Sequence, residues 1–187
     1  LYEGRVAMHR LIALDLAAYS AETGDRRGSI ALLDHPDNNS PDIKFEALAV
    51  YQDGEGPLGL ATTDSDIEVR LTYSIFRPLR GIEVSIVVEL ADGQYLLSTT
   101  DVDTSLDLDR SRPVGRYTAK CQLPAEFFRT GTYYLHCASS RPNVEQLSHM
   151  RRVLGFDVLD VNGVETQVGQ RRLGILSPRL QWHTEYM

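Results

Sequence analysis

The stretch that decides the fold is "DIEVRLTYSI", residues 66–75, in which apolar and polar residues alternate almost without a break. Successive side chains of a strand point to opposite faces of a sheet, so this period of two predicts a strand with one dry and one wet face. We expect the apolar set to face a core and the polar set to face solvent. The apolar set is Ile67, Val69, Leu71, Tyr73 and Ile75; the polar set is Glu68, Arg70, Thr72 and Ser74.

The same period recurs on both sides of this stretch. "GIEVSIVVEL" (81–90) places Ile82, Val84, Ile86, Val88 and Leu90 inward, and the turn "ADGQ" joins it to "YLLSTT" (95–100). Further strands are predicted over 43–51, which is apolar on both faces, and over 116–123, 131–139 and 152–160. Seven or so short strands with turn residues between them predict an all-β protein, an antiparallel β-sandwich.

The N-terminal residues show a different period. In 4–22, Met8, Leu11, Ile12, Leu16 and Tyr19 recur at spacings of three and four, which predicts an amphipathic helix that stops at Gly24. We therefore divide the chain into a helix and linker (1–27) and a sandwich (28–187). The sequence begins at Leu1 rather than Met, so we expect a fragment of a longer protein.

Charge and motifs exclude several function classes. A formal net charge of −7 argues against nucleic acid or an anionic membrane as partner, and no apolar run approaches the roughly 20 residues of a membrane span. The sequence has no G-x-x-x-x-G-K-[ST], G-x-S-x-G or H-E-x-x-H, and its five histidines show no metal-ligand spacing. We therefore predict no catalytic residues, no metal site and no cofactor.

Two features leave alternatives open. The loop "DVDTSLDLD" (101–109) is either a solvated acidic loop or a calcium site that lacks the glycine and glutamate of an EF-hand. Cys121 and Cys137 both face inward; free thiols in the core are the simpler interpretation, because a disulfide needs an oxidising compartment.

The strand "GTYYLHCAS" (131–139) contains two adjacent tyrosines that must face opposite ways. Tyr133 belongs to the inward set with Leu135 and Cys137, near the strand start where immunoglobulin-like sandwiches often carry a tyrosine corner. Tyr134 points outward with His136. The same surface should present Glu83, Ser85 and Glu89 of the neighbouring strand and Asp157 of the next.

An outward ring beside a histidine, a serine and carboxylates suits the chemistry of a sugar. The ring can stack on the apolar face of a pyranose while the polar groups bind its hydroxyls. The predicted carbohydrate-binding residues are Tyr134, His136, Glu83, Ser85, Glu89 and Asp157. The alternative is that an exposed tyrosine is simply covered by a loop or a partner chain.

A longer pattern runs from residue 28 to 182. It consists of Gly28-Ser29, "LADG" at 90–93, Pro124, Gly131-x-Tyr133-x-Leu135, Phe156-x-Val158, and an ending with Arg172, Gly174, Pro178 and Trp182. In this order it resembles the C-terminal domain of Wzt-type proteins, the ATP-binding subunits of ABC transporters that export O-antigen polysaccharide. The helix before it resembles the last helix of the preceding ATPase domain.

The resemblance implies an immunoglobulin-like sandwich that binds the finished O-antigen, often at its non-reducing end, without catalysis. It implies a cytoplasmic location at the inner membrane, where the full-length ATPase would meet the transporter permease. It also implies a homodimer formed by exchange of a C-terminal strand. Here residues 161–171 would be the hinge and 173–182 the exchanged strand.

Three alternatives remain at this point. The sandwich could instead be a structural or protein-interaction module whose outer surface docks a partner protein. Trp182 could be a sugar platform, although packing in the core is the commoner role of such a residue. Carboxylate pairs for glycoside hydrolysis depend on spatial separation, which a sequence does not give.

Overall fold

The computed structural model describes residues 28–161 apart from 106, 108 and 126, and beyond them 167, 169, 173–176, 178 and 180–186. The predicted helix 4–22 and most of the predicted hinge 161–171 lie outside these residues. The described residues form eleven β-strands. They are β1 (Ser29–Ala31), β2 (Ile43–Gln52), β3 (Leu60–Thr62), β4 (Ile67–Ile75), β5 (Leu79–Arg80), β6 (Glu83–Leu90), β7 (Tyr95–Thr100), β8 (Ser111–Arg112), β9 (Gly115–Leu123), β10 (Gly131–Arg141) and β11 (Glu145–Leu159).

The strands form two main sheets. Sheet A has the order β1-β2-β4-β9 and sheet B has the order β3-β11-β10-β6-β7, while β5 and β8 form a separate two-stranded ribbon. All pairs are antiparallel except β3 with β11. This is the strand arrangement of an immunoglobulin-like sandwich, so the predicted fold class is confirmed. In the part of the chain that is described, no helix has the length and apolar character needed to cross a membrane.

The interior follows the alternation read from the sequence. All five apolar residues of β4 named above are buried, with exposed fractions of 1–3%. Val84, Ile86 and Val88 of β6 face them from sheet B and are also buried. Each such aliphatic side chain contributes about 1.5–3 kcal/mol by leaving water, which makes this core the main source of stability.

A bulge explains why β2 is apolar on both faces. Its pairing with β4 slips by one residue between Phe45 and Ala47, so Glu46 has no direct partner. Because one extra residue reverses the alternation, Phe45 faces the core before the bulge and Leu48 faces it afterwards.

The hairpin of β10 and β11 is longer than the sequence predicts. β11 begins at Glu145, whereas the predicted strand begins at 152. Between the pairs Leu135–Leu154 and Cys137–Met150, β11 contains two more residues than β10. Since two residues are inserted rather than one, the same side of β11 faces the core on both sides of this bulge.

Tyr133 is a tyrosine corner, as predicted. Its ring is 2% exposed and packs against Phe128 and Phe156. Its hydroxyl donates a hydrogen bond to the carbonyl of Arg129 (2.9 Å) and accepts one from the amide of the same residue (3.1 Å). These contacts fix the chain where it enters β10.

The outer face of sheet A carries charged residues that pair with one another. The Arg116 Nε lies 2.7 Å from Glu46 Oε2, the Gln122 Nε2 donates to Glu68 Oε2 at 2.7 Å, and Arg70 also pairs with Glu68. Such a paired surface is typical of a sheet face that contacts water. On the outer face of sheet B, by contrast, several polar side chains are buried.

Candidate functional site

The six predicted binding residues all lie on sheet B, spread along the length of β10. Asp157 is opposite Thr132 at one end, Glu89 is opposite Tyr134, and Glu83 is opposite Ser140 at the other end. At about 3.3 Å per residue, residues 132 to 140 span roughly 26 Å. The structure therefore brings Tyr134, His136 and Glu89 together, places Asp157 and Ser85 one position further along this face on either side, and leaves Glu83 at the far end.

Burial on this face differs from the prediction. His136 is 1% exposed, and Glu89 and Asp157 are each 5% exposed, so the expectation that they stand on a wet surface is wrong. Other side chains cover the first two, as described below, while the Asp157 carboxylate accepts a hydrogen bond from Thr132 Oγ1 (2.6 Å). Tyr134, Glu83 and Ser85 are partly exposed.

The side chains around Glu89 form a group that we call the outer-face cluster: Glu89, Tyr95, Tyr134, His136, His149 and Arg152. The two Glu89 oxygens contact different partners: Oε1 accepts a hydrogen bond from Arg152 Nη1 at 2.6 Å, and Oε2 lies 2.6 Å from His136 Nε2. The second contact is within hydrogen-bond distance, although its alignment is poor for a hydrogen bond. Glu89 thereby links β6, β10 and β11.

Aromatic and cationic groups complete the cluster. The Arg152 guanidinium lies over the Tyr134 ring, with its Cζ 3.9 Å from the ring centroid. The Tyr95 ring meets the His136 ring edge-on at a centroid distance of 5.5 Å, and His149 stacks on the other side at 6.4 Å. These neighbours are what exclude water from His136.

Burial affects the protonation of His136. Desolvation lowers the pKa of its imidazole, and the nearby Glu89 carboxylate only partly opposes this effect. The lowered pKa favours the uncharged form of the ring. The cluster then contains one ion pair, Arg152 with Glu89, of which the Arg152 side chain is 42% exposed.

Local backbone geometry positions Arg152. It lies in the two-residue bulge of β11 and has a φ of +47°, a conformation that non-glycine residues seldom adopt. The bulge releases Arg152 from the regular alternation, which allows its side chain to cross β10 towards Glu89. Gly155 lies opposite Tyr134 on β11 and adds no side chain there.

The cluster offers groups that can bind a ligand. A partly exposed tyrosine ring, Tyr134, is backed by the Arg152 guanidinium, and the Glu89 carboxylate holds that cation in place. Among the described residues, no three His, Cys, Asp or Glu side chains are grouped closely enough to hold a metal ion. The arrangement can stack an apolar ring face and donate hydrogen bonds through a guanidinium.

Sequence reasoning missed Tyr95, His149 and Arg152. Tyr95 pairs with Glu89 only because the register of β6 and β7 shifts between Val88 and Glu89, and the turn at 91–94 does not announce that shift. The bulge that delivers Arg152 has no sequence signature, since no glycine marks its positive φ.

The acidic loop uses its carboxylates for internal contacts. Asp101 lies 2.6 Å from Arg112 Nη2 and also accepts a hydrogen bond from the amide of Val84 (3.0 Å). Asp103 accepts hydrogen bonds from the hydroxyls of Thr99 (2.6 Å) and Thr100 (3.0 Å). These partners favour a structural role for the two carboxylates over the calcium alternative.

The C-terminal segment contacts the sandwich through a hydrogen bond that Arg129 Nη1 donates to the carbonyl of Gly174, but several of its large apolar side chains are exposed. Leu173, Leu180 and Trp182 are 99%, 67% and 89% exposed, and the described residues of 173–182 form no strand. Trp182 does not pack in the core of its own chain, so that expectation is wrong.

Comparison with known proteins bears on the fold. A crystal structure of the C-terminal domain of wzt matches with a TM-score of 0.62 at 14% identity, covering 77% of this chain and 84% of that chain. The alkylpurine DNA glycosylase AlkC of Pseudomonas fluorescens gives a TM-score of 0.41 at 12% identity, covering 63% and 30%, which is too low to add to the argument. No protein-family model and no curated protein matches the chain. The chain thus has a fold similar to that of the wzt C-terminal domain.

Proposed function

We propose that this chain is a non-catalytic carbohydrate-binding domain of an ABC transporter. It recognises O-antigen polysaccharide, at the non-reducing end, and thereby sets which glycan is exported. It acts in the cytoplasm, at the inner membrane, as part of a longer ATPase that contacts the transporter permease.

The observation that carries the proposal is the outer-face cluster on a fold similar to the wzt C-terminal domain. Because Arg152 covers one face of the Tyr134 ring, a pyranose would stack on the opposite face. The exposed part of the guanidinium is then available to donate hydrogen bonds to sugar hydroxyls. Glu89 and His136 act beneath them as positioning residues.

The chain also carries features expected of a homodimer. Leu173, Ile175, Leu180 and Trp182 are exposed, as expected of a strand that packs on a second copy. Two linked sites raise the effective concentration of one glycan end, so that modest affinity at each site suffices.

The alternative is a protein-interaction module, favoured by the same exposed apolar tail. Isothermal titration calorimetry with the polysaccharide of the source organism separates the two. Heat that the wild type releases and that Tyr134→Ala loses supports carbohydrate binding at the cluster. No heat with any polysaccharide preparation, together with a protein partner that Tyr134→Ala fails to bind, supports the alternative.

A further inference from the structure

The sandwich is open along one side. β9 is the edge of sheet A and β7 is the edge of sheet B, and between them lies a cleft of about 590 Å³. Its floor consists of core residues, among them Val69, Leu71 and Ile86, which are buried beneath it. The inward residues of β9, such as Ala119 and Cys121, remain partly exposed because no strand covers them.

An aromatic ring forms one wall of the cleft. Tyr117 stacks on Tyr73 with the ring centroids 5.4 Å apart and an angle of 11° between the ring planes. Its hydroxyl donates a 2.7 Å hydrogen bond to the carbonyl of Pro113. The ring is therefore fixed from below and at its tip, which leaves little rotational freedom to lose when a ligand stacks on it.

Polar groups of both kinds line the opposite wall. On that wall Asp103 is an acceptor held by Thr99 and Thr100, and Arg110 is a donor, while Lys120 adds a donor from β9, the strand of Tyr117. Arg112 is 3% exposed; it donates to Tyr73 Oη at 2.6 Å and pairs with Asp101. Its Nε is buried and has no hydrogen-bond partner among the described residues. A buried donor of this kind favours a ligand or water that supplies an oxygen.

We propose that this inter-sheet cleft binds one neutral pyranose unit, as a saccharide subsite separate from the outer-face cluster. The mixture of acceptors and donors around one fixed ring matches a polyhydroxylated ring better than it matches an anion, because Asp101 and Asp103 lie among the cationic groups. The inference rests on the proposed carbohydrate-binding function and adds a second contact point for the same chain.

Cys121 reports on the cleft directly. It lines the cleft and is partly exposed, whereas Cys137 is 1% exposed in the core and serves as an internal control. The full chain is alkylated with N-ethylmaleimide while a panel of methyl pyranosides of neutral hexoses is titrated, and each thiol is followed by mass spectrometry. A binder should slow the reaction of Cys121 about tenfold when its concentration is about ten times the dissociation constant.

Two matched substitutions separate the cleft from the outer face. Ala119→Leu places extra volume in the cleft, and Ala138→Leu places the same volume on the outer face of β10. Saturation-transfer NMR with the protecting pyranoside should lose its signal in Ala119→Leu and keep it in Ala138→Leu. Asp103→Asn, which keeps one acceptor for Thr100, should weaken binding about tenfold.

The proposal is overturned if no neutral pyranoside protects Cys121, or if protection persists in Ala119→Leu. If the protection of Cys121 depends on protein concentration rather than on sugar concentration, a second copy of the chain fills the cleft. That outcome also overturns the proposal. Signal lost only in Ala138→Leu would overturn the subsite while supporting the proposed site at the outer face.

Discussion

Arg152 lies over the ring of Tyr134, 3.9 Å from the ring centroid, and is held there by a 2.6 Å hydrogen bond to Glu89. A residue of β11 thus reaches across β10 to a carboxylate of β6. The tyrosine is consequently a pre-oriented platform rather than a freely rotating surface ring.

The two adjacent tyrosines should respond differently to truncation. Tyr133→Ala removes a fully buried ring and should lower the free energy of unfolding by about 3–5 kcal/mol. Tyr134→Ala removes a half-buried ring and a cation–π contact, and should cost about 1 kcal/mol while weakening polysaccharide binding. Urea denaturation and calorimetry measure the two effects. Equal destabilisation by both substitutions would show that the faces of β10 are misassigned.

The bulge in β11 can be tested with two substitutions of one residue. Arg152→Gly and Arg152→Ala both remove the guanidinium, but glycine adopts a φ of +47° without strain, whereas alanine adopts it at a cost in free energy. Arg152→Gly should therefore be the more stable variant, by about 1 kcal/mol. Chemical denaturation measures the difference in the free energy of unfolding between the two variants. A more stable alanine variant would argue against the left-handed conformation at residue 152.

The lowered pKa of His136 makes folding sensitive to acid. Its folded-state pKa lies below the unfolded value of about 6.5, so the unfolded chain binds the extra proton first. The stability that comes from keeping the ring neutral should be complete above that pH and should decline as the pH falls towards the folded-state pKa. Stability curves of the wild type and His136→Gln should converge over this range. Parallel curves would mean that His136 is not the titrating group.

The two thiols should differ in reactivity. Burial raises the pKa of Cys137 to about 12, while Cys121 lies at the open side of the sandwich with a pKa raised less, by desolvation and by Asp103. We expect a disulfide reagent to modify Cys121 alone in the native protein and both cysteines in guanidinium chloride. Native modification of Cys137 at a comparable rate would contradict its position in the core.

The dimer proposal has a built-in reporter, because Trp182 is the only tryptophan. Its emission should shift to shorter wavelengths as protein concentration rises and the tail packs on a second copy. Trp182→Glu should leave a monomer by size exclusion with light scattering, and Tyr186→Glu, altering a fully exposed residue beyond the segment, is the control. A wild type that stays monomeric at tens of micromolar would refute strand exchange.

The sequence predicted those parts of the fold that depend on alternation. The inward set of β4 and the corner at Tyr133 follow from a period of two and one turn, both of which are local. The burial of His136 was not predictable in this way, because it depends on Tyr95 and on a bulge that carries Arg152 into place. The alternation along a strand predicts the face of the sheet on which a side chain lies. Whether that side chain is exposed to water depends on residues of the neighbouring strands.

The two-residue insertion in β11 has a consequence for how such a domain can diversify. Because the inserted pair preserves the alternation on either side, Met150 and Leu154 face the interior while Arg151 and Arg152 between them are exposed. Under the proposed function, the residue that contacts the ligand and the residues that fill the interior therefore occupy different positions of β11. Substitutions at Arg151 or Arg152 are therefore expected to change the ligand specificity of the domain without changing the packing of its core.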